Sequence, residues 1–264
     1  MAYLMDLHVY TNNTSGANDK ISFLCEKAAE KELRAVAFTD VLNIDDCGSD
    51  LYGLRRRTRH SFFDIAKARM MYFGAVSVFA GIELRQALYD PSLAADTVAA
   101  QEYDIVLTRL TRWAPDSPFG LGPDMPQGDF NAFAERYADT LVRTVDETDF
   151  DVLSGLLAPL RETRVSYDRF ESCARGVLDA LVRRGRALEV NTKDVLGSER
   201  IRDLYFRLLS YYREGGGEYL TFGSESFSHD ELGAGIELSM SAAKRAGFKN
   251  LTFYDKRIPY LVAL

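Results

Sequence analysis

Short apolar runs rich in β-branched residues alternate with longer stretches of helical period from one end of this chain to the other. A repeated strand–helix order confines a chain to a parallel sheet flanked by helices. Strands are expected over residues 3–8, 35–39, 76–84, 104–108, 151–154, 187–191, 219–222 and 250–254. Helices are expected over 20–32, 60–73, 92–101, 130–147, 167–183, 199–213 and 231–246. The first of these follows Asn18 and Asp19, which suit a helix N-terminus, and repeats apolar residues at Ile21, Leu24, Cys25, Ala28 and Ala29 on one face. Seven or eight such units in 264 residues point to a closed βα barrel.

Composition agrees. With 47% hydrophobic and 27% charged residues the chain can bury a large core, and no linker divides it, so residues 1–264 read as a single domain. A net charge of -7 disfavours phosphodiester backbones, so nucleic acid is not an expected partner. Residues 1–13 lack a basic stretch followed by an apolar one, and no later segment reaches the ~20 apolar residues of a membrane span. A cytoplasmic protein with no membrane partner is expected. Cys25, Cys47 and Cys173 lie far apart without CxxC spacing and read as buried thiols. The basic run at 54–59 reads as a solvated loop or helix start, and the proline- and glycine-dense stretch 112–128 as a loop after the fourth strand.

Barrel enzymes carry their chemistry at the C-terminal ends of the strands. There the chain has DLHVYT at 6–11, TDV at 39–41, GIE at 81–83, TRL at 108–110, GL at 155–156, EVNT at 189–192 and GSESF at 223–227. These segments, in this order, resemble the DLHxHT, TDH, GIE, SxH, GH, EINT-like and GSDAH motifs of the PHP (polymerase and histidinol phosphatase) superfamily, and within it the histidinol-phosphate phosphatases. The closing KRIPYLVAL is similar to that family's C-terminal strand and tail. The resemblance implies a distorted TIM-like (β/α)7 barrel. It also implies a cluster of divalent metals that generates hydroxide and polarises a phosphomonoester.

Carried over position by position, the resemblance keeps His8, Glu83 and Glu225 as metal ligands, and leaves the catalytic residues unassigned. Tyr10, Val41, Leu110, Leu156 and Phe227 stand where histidines are expected, and Glu225 stands for an aspartate. Valine, leucine and phenylalanine offer a metal no lone pair. His60 and His229, the other histidines, match no ligand position. The expectation is therefore no cofactor, or at most one zinc, manganese or iron ion on His8, Glu83 and Glu225, with water completing the shell. Without a metal, Glu83 and Glu225 are expected to be protonated or salt-bridged to arginine. Arg85, Arg109, Arg112, Arg161 and Arg164 lie beside the motifs, and the resemblance makes Arg161 and Arg164 the phosphate-binding pair. Three readings follow: a diverged barrel without phosphatase activity that binds a small phosphorylated or anionic ligand; a one-metal phosphomonoesterase; and metal-free acid–base chemistry on Tyr10, Glu83 or Asp40.

Overall fold

The computed structural model describes residues 3–47, 51–114, 117–119, 127–161 and 165–264. Strands β1 (Met5–Val9), β2 (Ala35–Phe38), β3 (Ser77–Arg85), β4 (Ile105–Arg109), β5 (Val152–Leu153), β6 (Ala187–Asn191) and β7 (Leu220–Gly223) pair in parallel in that order. All but β3 are buried at every position, as strands covered on both faces must be, which is why they read as mainly apolar runs. A bridge from Val9 to Ser226 and a 3.0 Å bond from Tyr10 N to the Ser226 carbonyl bring β1 against the end of β7. The result is a nearly closed, distorted (β/α)7 barrel.

Asp6 ties this closure. Fully buried, its carboxylate accepts bonds from the Ser224 amide (2.9 Å), the Ser224 hydroxyl (2.5 Å) and the Gly233 amide (2.8 Å). Burial pushes its pKa up, and those bonds pull against the shift.

Helices α1 (Ile21–Glu30), α2 (Leu51–Met71), α3 (Pro91–Ala99), α4 (Gln127–Glu147), α5 (Tyr167–Arg184), α6 (Glu199–Glu214) and α7 (Ile236–Arg245) flank the strands. Two depart from expectation at their starts. Helix α2 begins at Leu51 rather than near residue 60, so of the two alternatives for the basic run 54–59 it is the helix start that the fold contains, in keeping with arginine's good helix propensity. Helix α7 begins only at Ile236, because Gly233 and Gly235 take the left-handed conformation and hold 228–235 in turns.

The eighth expected strand is real but leaves the barrel. Residues Asn250–Asp255 (β8) pair antiparallel with Ile258–Ala263 (β9) through a two-residue turn. Lys256 and Arg257 both have positive φ there, as the tight turns matched to strand twist require. The hairpin tip plugs the N-terminal end of the barrel. Arg257 N donates to the Asp104 carbonyl (2.8 Å), and its guanidinium grips Asp149 (2.6 and 2.9 Å) and Asp151 (3.0 to 3.2 Å). The stretch expected to be a loop over 112–128 also has structure. Arg112–Ala114 pairs with Ser117–Pro118, and Trp113 and Phe119 pack edge to face at 4.8 Å on the Phe133 side of α4; positions 115–116 and 120–126 lie outside the described residues.

Candidate functional site

The C-terminal ends of the strands converge on a buried network of charges. Strand β1 delivers His8, and Tyr10 follows it; β3 ends in Glu83 and Arg85, β4 in Arg109, and β6 carries Glu189 and Asn191. Glu225 follows β7, Asp194 sits in the helical turn after β6, and Arg161 closes the short helix after β5.

His8 lies between two carboxylates. Its Nδ1 is 2.5 Å from Glu189 Oε1, and its Nε2 is 3.0 Å from Glu83 Oε2 and 2.9 Å from the Tyr10 hydroxyl. A carboxylate at each ring nitrogen makes both nitrogens donors, which is the imidazolium form. Burial works against that charge, but Glu189 and Glu83 outweigh it and hold the imidazole at about 10. Burial likewise would raise Glu83, yet Arg85, His8 and Arg109 keep it far below the usual carboxylate range. The Tyr10 hydroxyl donates to Glu83 and accepts from Arg85 Nη2 at 3.0 Å; burial, and then Glu83, push its pKa well up.

Arg109 links the two sides of the mouth. Its Nη1 is 2.6 Å from Glu225 Oε1 and 4.0 Å from Glu83 Oε1. Glu225 also accepts from Asn191 Nδ2 (2.8 Å) and Arg161 Nη1 (3.4 Å), so against burial its carboxyl is held at about 2 by Arg109 and His8. Arg161 spends its remaining donors on Asp194 (Nε, 2.6 Å) and Asn191 (Nη2, 3.0 Å). Four carboxylates, Glu83, Glu189, Glu225 and Asp194, thus face four cations, His8, Arg85, Arg109 and Arg161. Two glycines make room for them. A Cβ on Gly155 would lie 2.7 Å from Arg109 Nε, and one on Gly223 would lie 2.3 Å from His8 Cβ and 2.4 Å from Glu189 Oε1.

A sequence profile of the PHP domain matches residues 6–193. The chain belongs to the PHP domain family. Within that family its likeness is to histidinol phosphatases. A Thermotoga maritima protein assigned as a histidinol-phosphatase is 26% identical over 163 residues, 62% of this chain, and the match spans 65% of that relative's length. The Lactococcus lactis histidinol phosphate phosphatase, solved with zinc, L-histidinol and phosphate, superposes with a TM-score of 0.84 at 16% identity, covering 98% of this chain and 99% of that one. A Listeria monocytogenes protein assigned as the histidinol phosphatase hisK gives 0.65 at 12% identity, over 89% and 99%. These likenesses establish the PHP fold.

Against the PHP motifs, the barrel brings His8, Glu83 and Glu225 together and commits every donor atom they would offer a metal. Both His8 nitrogens point at carboxylates, Glu83 is held by His8, Tyr10 and Arg85, and Glu225 by Arg109, Asn191 and Arg161. Among the described residues no group of three or more His, Cys, Asp or Glu is arranged to hold an ion. In this arrangement each of those donor atoms already has a protein partner. Of the expected alternatives for Glu83 and Glu225, the salt-bridged one is what the barrel contains.

The other substituted positions divide. Leu110 and Leu156 are buried in the core, whereas Val41 and Phe227 are half-buried and line a cavity of about 380 Å³ beside the network, shared with Asn13, Ser61 and Phe62. The Phe227 ring packs 4.7 Å from that of Tyr10. Asp40 knots the loop after β1 to β2, accepting from the Thr11 amide and hydroxyl (both 2.7 Å) and the Thr14 hydroxyl (2.8 Å). Arg112 turns away to Asp45 (2.7 and 2.9 Å) and Asp46 (2.5 Å). Arg164 and the His60 side chain lie outside the described residues. His229, in the turns before α7, pairs with Asp19 at 2.9 Å. Sequence reasoning placed Glu189 and Asn191 in the EVNT segment without giving either a role, and did not reach Asp194. Their signal was the polar ending of an otherwise apolar strand at 189–194.

Proposed function

We propose that this PHP barrel is a diverged, histidinol-phosphatase-like protein that works without a metal, has given up phosphomonoester hydrolysis, and keeps its mouth as a binding site for a small anionic ligand. The observation that carries the reading is the clamping of His8 between Glu189 and Glu83, at 2.5 and 3.0 Å, which turns the surviving histidine of the first motif into a cation. A cationic imidazole has no lone pair for a metal and cannot act as a base.

For the ligand, Arg85 is the better placed guanidinium. Its Nε and Nη2 turn inward to Glu83 and Tyr10, and its Nη1, with no acceptor among the described residues, remains for a ligand in the 380 Å³ cavity that Arg85 helps to line. Phe62, Phe227 and Val41 supply apolar walls, and Asn13 and Ser61 supply polar ones. Such a mixture suits a small molecule with one anionic group. Arg161, expected to bind phosphate together with Arg164, has the demands of Asp194, Asn191 and Glu225 to satisfy first.

The convergence of His8, Glu83 and Glu225 supports the rival reading, a one-metal phosphomonoesterase. Elemental mass spectrometry of the purified, unchelated protein decides between them, together with phosphate release from histidinol phosphate. The metal-free reading expects no stoichiometric zinc, manganese or iron and no release. About one equivalent of metal per chain, with release that Glu83→Ala abolishes, would establish the rival.

A further inference from the structure

Arg109 holds a position that a merely vacated metal site would not explain. Its guanidinium is buried in the barrel mouth, with one nitrogen 2.6 Å from Glu225 and 4.0 Å from Glu83. Its Nε is buried and has no acceptor among the described residues, and it lies against Gly155 so closely that a single methyl there would reach 2.7 Å. A buried donor left unpaired is a cost, accepted here to keep the charged end between the two carboxylates. Without the Arg109 charge between them, Glu83 would keep only His8 and Arg85, and Glu225 only Arg161, as counter-charges, while two ionised carboxylates in a water-poor site oppose one another. The positions flanking this arginine reinforce the arrangement. Leu110, next in the chain, and Leu156, next after Gly155, are buried in the apolar core.

We propose that Arg109 is a built-in counter-cation that takes over the electrostatic role of a metal and is the group that keeps divalent ions out, so that removing its charge while retaining its stem opens Glu83 and Glu225 to a divalent cation. This inference rests on the metal-free reading given above. A guanidinium tethered to β4 neutralises the carboxylates at every moment of the protein's life, whereas a metal does so only when bound. The barrel is thereby independent of metal supply and closed to metals that would otherwise be drawn to the carboxylates.

The test compares wild type, Arg109→Met and Arg109→Lys after dialysis against manganese or zinc and removal of the excess. Metal per chain is read by elemental mass spectrometry, and melting temperature is read with and without metal. Wild type and Arg109→Lys are expected to retain no metal and to melt unchanged. Arg109→Met is expected to retain about one equivalent per chain and to gain about 5–10 °C in metal well above its dissociation constant. A folded Arg109→Met protein that retains no more metal than wild type overturns the inference and leaves the metal-free reading standing. Stoichiometric metal in wild type overturns the reading itself. If Arg109→Met does not fold alone, it is refolded with manganese: recovery of the folded form with bound metal supports the inference, and failure while Arg109→Lys folds normally overturns it.

Discussion

Raising the pH, and replacing Glu189 by Gln, both act on the charge of His8. The imidazole has an ordinary value of 6.5; burial lowers it, but Glu189 and Glu83 hold it at about 10. The folded value lies above the unfolded one, so the stabilisation is complete below pH 6.5 and is lost as pH rises through about 10. At ~1.4 kcal/mol for each pH unit, that span corresponds to on the order of 5 kcal/mol. Glu189→Gln keeps the size and a hydrogen-bond acceptor but removes one of the two charges, at an expected cost of about 2–4 kcal/mol near neutrality. Urea unfolding of both proteins from about pH 6 to about pH 10 should show the gap between them closing as the imidazole deprotonates. Ring nitrogen spectra give the direct readout, since a chain with three histidines is assigned by substituting His60 and His229 in turn. His8 should carry a proton on both nitrogens at neutral pH. A neutral ring titrating near its ordinary value, or a stability gap that ignores pH, would refute the argument.

Other perturbations address the frame and the cavity. Arg257→Ala should cost about 2–4 kcal/mol in thermal or urea unfolding, because it leaves Asp151, whose pKa burial already pushes up, with only the Val106 amide and the more distant Arg186. Anion binding at the opposite end should survive that change. Gly155→Ala places a methyl against Arg109 at a φ of +63°, and should destabilise the protein by about 2 kcal/mol or more. Val41→Trp fills the cavity beside Arg85, so binding of phenyl phosphate by isothermal calorimetry should vanish while the circular dichroism spectrum stays that of wild type. Retained binding would move the ligand site elsewhere.

The barrel was legible because six of its seven strands are buried at every position and so are mainly apolar, a signal that survives even in β5, where only Val152 and Leu153 pair. Residues 250–254 carry that same signal without belonging to the barrel. What redirects them is the Lys256–Arg257 turn, and neither residue advertises the left-handed backbone that glycine or asparagine would. The site was half legible. The motif positions located His8, Glu83 and Glu225 and flagged the neighbouring arginines, but one-dimensional spacing does not say which arginine turns inward. Arg109 and Arg112 are three residues apart, and one enters the mouth while the other grips Asp45. Whether His8 is a ligand or a cation depends on Glu189, 181 residues away in sequence.

The hairpin clamp also bears on how the protein is made. Asp104 and Asp151 are buried at the foot of the barrel, and the turn that meets them arrives only at Lys256 and Arg257. During synthesis at about 5–20 residues per second, Asp151 waits on the order of ten seconds for the Arg257 guanidinium, whereas Arg69, the cation on Asp104, is made before it. The clamp therefore closes the foot of the barrel only after all seven barrel strands have been made, at the end remote from whatever the mouth binds.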